Sequence, residues 1–291
     1  MAAAGMCVAV IAALWLISRF EKLSLPKPRL TLAAASVALG IALCPVTNYA
    51  ITGNFTFTPG GSSFLFGRLV EDGIVARYLD DTCPDPALRL CAYRAKLPDE
   101  ADDWLSDNNS PFRTVSSETI WVGEEQAITN ASIKLYPFMH MKAAAIAAVS
   151  QFISFRTEVG VDNNAPTIYL FSEHFPQFFP QFLSARQQAE RFKVEPLNNL
   201  HVPVAALAML GIAAALVFRR RLEVSPRAAA LCLVLLLALG ANAAICGLFS
   251  HPVDRYQSRL VLLAPFAAAL LIGQRQRAGV PTRLGSLPDI A

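Results

Sequence analysis

Apolar and polar positions along this chain fall into long blocks. Five stretches are almost unbroken in their apolar character: residues 3–17, 30–51, 202–218, 228–249 and 260–273. A helix needs about 20 apolar residues to cross the hydrocarbon core, with a usable range of about 17–25. The second and fourth stretches meet this, whereas the first, third and fifth must recruit flanking residues. Between the second and third spans the chain turns charged and rich in Pro, Asn and Asp, as a segment folded in water does. The pattern predicts an all-α membrane protein of about five transmembrane helices. It assigns residues 1–51 to the first two spans, 52–201 to a mainly helical external domain, 202–273 to the other three spans, and 274–291 to a tail.

Within the external segment, NFTFTPGGSSF reads as a short extended stretch ending in a turn. Ser62 or Ser63 then caps a helix over 64–79, with Leu65, Leu69, Val70, Ile74 and Leu79 as its apolar stripe. Such a helix either lies on the membrane surface or forms the base of a soluble core. A second helix is expected over 117–135, with Glu124 and Glu125 solvated. Glu100, Asp102 and Asp103 read as a solvated face, and His140 as a structural histidine. Residues 143–155 (AAAIAAVSQFISF) are apolar, but 13 residues make a helix of only about 20 Å, too short to cross. A buried core helix or an interfacial segment fits them better. The aromatic run over 171–182 suits an interfacial loop, serving either as a surface anchor or as the lining of a groove for an acyl or polyprenyl chain.

Composition sharpens the membrane reading. The chain is 54% hydrophobic and 16% charged, against about a quarter charged in soluble domains. Net charge is only +3 and no basic stripe is interleaved with aromatics, so nucleic acid is not an expected partner. The charges set an orientation. Arg19, Lys22, Lys27 and Arg29 lie between the first two spans; Arg219, Arg220, Arg221 and Arg227 lie between the third and fourth; Arg275, Arg277 and Arg283 follow the fifth. The positive-inside rule places all three groups in the cytoplasm of a bacterial inner-membrane protein. The N-terminus and residues 53–201 are then periplasmic, and the C-terminus cytoplasmic. A cleaved signal peptide fits the first span poorly, because MAAAG carries no side-chain charge before the apolar stretch. An N-out span starting at residue 3 instead suggests an upstream membrane segment, with this chain the C-terminal part of a longer protein.

Cys83 and Cys91 are the only cysteines outside the expected spans, eight positions apart in a Pro-rich turn. In an oxidising compartment they are disulfide candidates; without a nearby His pair they make a poor zinc motif. Cys7, Cys44, Cys232 and Cys246 read as small apolar filler in spans. No nucleotide-binding loop, hydrolase elbow or Cys/His metal pattern is present, and neither a cofactor nor a metal is expected. No span carries an acidic residue, which argues against a transporter; Asn48 and Asn242 are the strongly polar exceptions.

One constellation carries candidate chemistry: His251, Asp254, Arg255, Tyr256 and Arg259, just before the fifth span. Arg255 and Arg259 are four apart, so a helix starting here puts both on one face. A phosphate group would gain there from guanidinium charge and free N–H groups. The bland alternative has both arginines snorkelling to headgroups or pairing with Asp254 and other acidic residues.

The stretch RYQSRLVLLAPFAAALL resembles the Arg-Tyr, then Pro, then apolar pattern that opens a late span in GT-C type glycosyltransferases. The resemblance implies a chain handling a polyprenyl-phosphate-linked sugar at the outer membrane face, with Arg255, Arg259, Tyr256 and His251 as candidate lipid-phosphate ligands. The family's acidic residue in the first external loop has no counterpart here, so the catalytic part would lie upstream. FLFGRLVEDGIVARYLDDTCP and LNNLHVPVAAL are similar to uncharacterised alphaproteobacterial membrane proteins. The expected function is therefore binding or scaffolding at the periplasmic face, by a protein whose partners are the bilayer and an upstream segment or second protein. The glycosyltransferase-like reading is the alternative, and whether the chain is an enzyme stays open.

Overall fold

The computed structural model describes residues 8, 10–13 and 15, and residues 29–278 except 59–60, 108, 115–117, 158–164, 187 and 189–192. Of the expected span over 3–17, residues 8, 10–13 and 15 are described, all as helix, and 279–291 lie outside the described residues. Every described element is helical. The chain runs through α1 (Leu30–Thr52), α2 (Gly61–Glu71), α3 (Ile74–Thr82), a 3-10 helix (Arg89–Lys96), α4 (Ala101–Ser106), α5 (Pro111–Thr114) and α6 (Glu118–Leu135). It continues with α7 (Pro137–Ile153), α8 (Ala165–His174), a 3-10 turn (Pro176–Phe178) and α9 (Phe179–Ser184). Last come α10 (Glu195–Val217), α11 (Pro226–Phe249), α12 (Asp254–Val261) and α13 (Leu263–Ala278).

Four of these are long and apolar enough to cross a membrane: α1, α10, α11, and α12 with α13 as one path over Asp254–Gln274. The protein is accordingly multi-pass. Two of the expected spans need extending. The third begins at Glu195 rather than 202, so that Asn198 and His201 belong to its helix. The fifth begins at Asp254 rather than 260, which brings Arg255, Gln257 and Arg259 into it. Hydropathy alone truncates both, because polar residues inside a helix end lower the average without ending the helix.

Helix ends follow local chemistry. Ser225 caps α11 by accepting from the Ala228 N–H, and Pro226 sits at the first helical position, where its missing N–H costs nothing. The expected single helix over 64–79 is in fact two. Gly73, at φ 71°, turns the chain between α2 and α3 in a conformation that a side chain would disfavour. Nor do Ser62 and Ser63 act as caps, because α2 already begins at Gly61.

The turn lets α2 and α3 converge on one core. Phe66, Leu69, Val70, Ile74, Val75 and Leu79 pack there with Leu90, Trp104 and Ile128. Trp104 stands 5.0 Å from Phe66 and 6.1 Å from Phe112, ring centre to ring centre. Burying an aromatic side chain of this size contributes about 1.5–3 kcal/mol. Cys83 and Cys91 are bonded, with their Cα atoms 5.7 Å apart, and close the edge of this core.

The spans α10, α11 and α13 meet over Ile212 and four small side chains, Ala208, Cys232, Ala264 and Ala267, which let helices approach closely. In contrast, α1 buries only Pro45. The aromatic run is not a loop: α8 and α9 fold back across Pro176, with the Phe171 and Phe182 rings stacked at 4.2 Å.

Helix α7 holds residues 143–153 of the apolar stretch, and Ser154 and Phe155 lie beyond its end. It packs along α11 more extensively than any other pair of described helices does. The approach is close at Gly247, where an added Cβ would lie 2.7 Å from the Ala147 backbone. Only Ala147 and Gln151 of α7 are buried, so the expectation of a buried core helix does not hold.

Candidate functional site

The domain and the spans join at the corner where α11 ends and α12 begins. This corner holds the five residues singled out from sequence. Helix α12 starts at Asp254, and Arg255 and Arg259 are both exposed along it. Arg255 lies over the Tyr256 ring, its guanidinium carbon 5.3 Å from the ring centre. The Tyr256 hydroxyl is 3.2 Å from Ser250 Oγ. Among the described residues, neither guanidinium forms an ion pair or a hydrogen bond. Asp254 forms no ion pair with them, one of the two forms the bland alternative could take; its Oδ1 accepts the Arg156 N–H at 2.6 Å.

His251 reaches across to the domain, with Nε2 3.4 Å from Asp102 Oδ2. The hydrogen bond from His251 holds the Asp102 carboxyl below the usual range, against the opposing effect of partial burial, and the charges of His251 and Arg255 add to it. Asp102 remains exposed, as a solvated residue is expected to be, while it meets His251.

A second join is deeper, and sequence reasoning passed over it. Arg68 in α2 is 5% exposed. Its Nη1 bonds Glu71 at 3.1 Å, its Nη2 bonds Asp72 at 2.8 Å, and its Nε donates to the Gly247 carbonyl at 3.3 Å. That carbonyl is among the last of α11, where free acceptors and the negative end of the helix dipole favour a cation. Burial raises the Asp72 carboxyl despite its Arg68 partner. The signal was legible in part: Arg68 precedes Leu69 and Val70 in the apolar stripe, with acids three and four positions on.

Glu125 corrects another expectation. It is 1% exposed rather than solvated, accepting from Ser63 Oγ at 2.6 Å and from Trp104 Nε1 at 2.9 Å. Burial raises its carboxyl above the ordinary Glu range, outweighing both hydrogen bonds. Its neighbour Glu124 accepts the Leu90 N–H at 2.8 Å. His140 sits 3.1 Å from Ser132 Oγ, and burial lowers its imidazole below the ordinary range, in keeping with a structural histidine.

Polar side chains also stitch the spans. Asn242 donates to the Tyr256 carbonyl at 3.0 Å and to Gln257 at 2.8 Å, and Gln257 donates to the Leu239 carbonyl. Asn48 donates to the carbonyls of Thr56 and Phe57, just beyond α1. At the opposite end of α11, a groove of about 370 Å³ between α11 and α13 is lined by Arg227, Leu231, Cys232, Ala267, Leu270 and Gln274.

In chemical terms the corner offers two free guanidinium groups, an aromatic face and an imidazole paired with a carboxylate. That set suits an anion. Among the described residues, no three His, Cys, Asp or Glu side chains gather as a metal site needs. No protein-family model, curated protein or solved structure matches this chain.

Proposed function

We propose that this chain is a five-span protein of a bacterial inner membrane, with its N-terminus in the periplasm and its C-terminus in the cytoplasm. Its helical domain, residues 53–194 between α1 and α10, binds or scaffolds a partner at the periplasmic face. The observation carrying this reading is the position of the domain relative to charge. The domain is keyed by Arg68 and His251 to the C-terminal end of α11, whereas Arg219, Arg220, Arg221 and Arg227 lie at its N-terminal end. Basic connectors favour the cytoplasm, so the domain lies on the other side, where a disulfide such as Cys83–Cys91 persists. Reporter fusions after Arg29, Lys96 and Arg221 are expected to read in, out, in. A cytoplasmic Lys96 fusion would overturn the orientation and the function with it.

A second reading has a specific observation in its favour. Arg255 and Arg259 stand exposed at the head of the last span and form no ion pair among the described residues, as ligands for a lipid-linked phosphate would. On this reading the chain is the C-terminal part of a GT-C-like glycosyltransferase using a polyprenyl-phosphate-linked sugar. Arg255→Ala and Arg259→Ala, introduced in the host protein, then abolish a surface-glycan product while protein abundance stays unchanged. Wild-type glycan profiles in both variants would rule it out.

A further inference from the structure

We infer that α7 is a re-entrant helix: it enters the bilayer from the domain's side, lies against lipid along one face, and ends within that half of the membrane without crossing. Two independent observations support this.

The first is depth. Tyr136, just before α7, and Ala143, in its first half, pack on the domain core. Ala147 then meets Gly247 near the end of α11, and Gln151 bonds both the N–H and the carbonyl of Val253, each at 2.9 Å. Beyond the helix, Phe155 is buried against Ala205 and Val261, beside Val202, Ala206 and Met209. Those α10 residues form the first half of its apolar run, so the end of α7 lies well inside the apolar layer rather than on its surface. The outward face remains apolar and open: Ile146, Val149 and Ile153 are 58%, 67% and 68% exposed. The spans also expose large apolar side chains, Leu248 and Phe249 on α11 and Leu207 on α10. Lipid acyl chains are the occupant that fits all of these surfaces at once.

The second is how the backbone is satisfied where α7 unravels. In hydrocarbon no water is available, so non-helical backbone is tolerated only where protein groups bond it. The Arg156 N–H is taken by Asp254 at 2.6 Å and the Thr157 N–H by Asn198 at 2.7 Å. Asn198 also donates to the Thr157 carbonyl at 3.2 Å, and Gln151 to the Ser154 carbonyl at 3.5 Å. Here protein side chains take up the freed backbone groups. Three polar side chains from α7, α10 and α12 converge on one four-residue stretch, and two of them, Gln151 and Asn198, are buried.

The test uses the full chain reconstituted in phosphatidylcholine vesicles, with Cys7, Cys44, Cys232 and Cys246 replaced by Ala and the disulfide left intact. Nitroxide labels are placed singly through Ile146→Cys, Val149→Cys and Ile153→Cys. Leu207→Cys on α10 is the lipid-facing reference and Ser106→Cys the domain reference. Collisions with oxygen, which concentrates in hydrocarbon, and with a water-soluble nickel chelate are measured for each. All three α7 labels are expected to match Leu207→Cys, with a gain of oxygen collisions and loss of nickel collisions relative to Ser106→Cys. Nickel accessibility like that of Ser106→Cys would overturn the inference by placing the face in water. Exclusion of both reagents would overturn it as well, by showing the face covered by protein.

Discussion

Glu125 shows how far one residue's environment departs from its neighbourhood in sequence. Beside Glu124 it reads as half of a solvated pair, yet its carboxyl lies within the domain core and takes hydrogen bonds from Ser63 and Trp104. A carboxyl whose folded-state value is raised holds its proton more tightly in the folded protein. Its contribution to stability is then present at acid pH and declines as pH rises from the ordinary Glu range through the raised value. Glu125→Gln keeps an acceptor for Trp104 and removes the charge. Melting curves in detergent should show the variant gaining on wild type as pH rises through that window; parallel curves would refute the assignment. Glu125→Ala takes the acceptor from Trp104 Nε1 and is expected to cost about 1–3 kcal/mol at acid pH, where the Glu125 contribution is fully present.

Among the elements, α7 is decided by its neighbours more than by its own composition. Its apolar stretch is too short to cross, and length alone left a buried helix or an interfacial segment. Gly247 settles its packing, because only a missing side chain lets the α7 backbone rest on α11. In Gly247→Leu the new side chain meets the backbone of Ala147, which cannot rotate away as a side chain would. Overpacking of this kind costs about 1–3 kcal/mol or more. The expected outcome is a lower melting temperature together with faster tryptic cleavage at Arg156, as the stretch bonded by Asp254 and Asn198 loosens. Unchanged cleavage would show that α7 does not depend on this contact.

In the molecule as a whole, Arg68 joins two parts that the sequence separates by 179 positions, and only the fold brings it to the end of α11. Truncating it leaves Glu71, Asp72 and the Gly247 carbonyl without their shared partner. Removing one member of a buried charge network costs about 3–5 kcal/mol. Arg68→Ala should therefore lower the melting temperature strongly. Arg68→Lys should recover only part of the loss, since a single ammonium cannot reproduce the guanidinium fork. Equal stability of Arg68→Lys and wild type would mean that charge, not geometry, holds the domain on the spans.

Hydropathy in the sequence determined the all-helical membrane class, and every span falling within the described residues appears as a helix. The cysteine pair was also legible, since two thiols in one turn outside the spans had few other partners. The five-residue cluster before the last span was legible as a helical face because i and i+4 spacing is local. What only the tertiary structure decided depends on contacts between distant residues: the burial of Arg68 and Glu125, the break at Gly73 that gathers α2 and α3 on one core, and the descent of α7 beside α11. Periodicity reports which face of a helix is apolar. Whether that face meets protein or lipid depends on what packs against it. At Arg255 and Arg259 the fold forms no ion pair among the described residues, although Asp254 is adjacent and the Arg255 charge acts on Asp102.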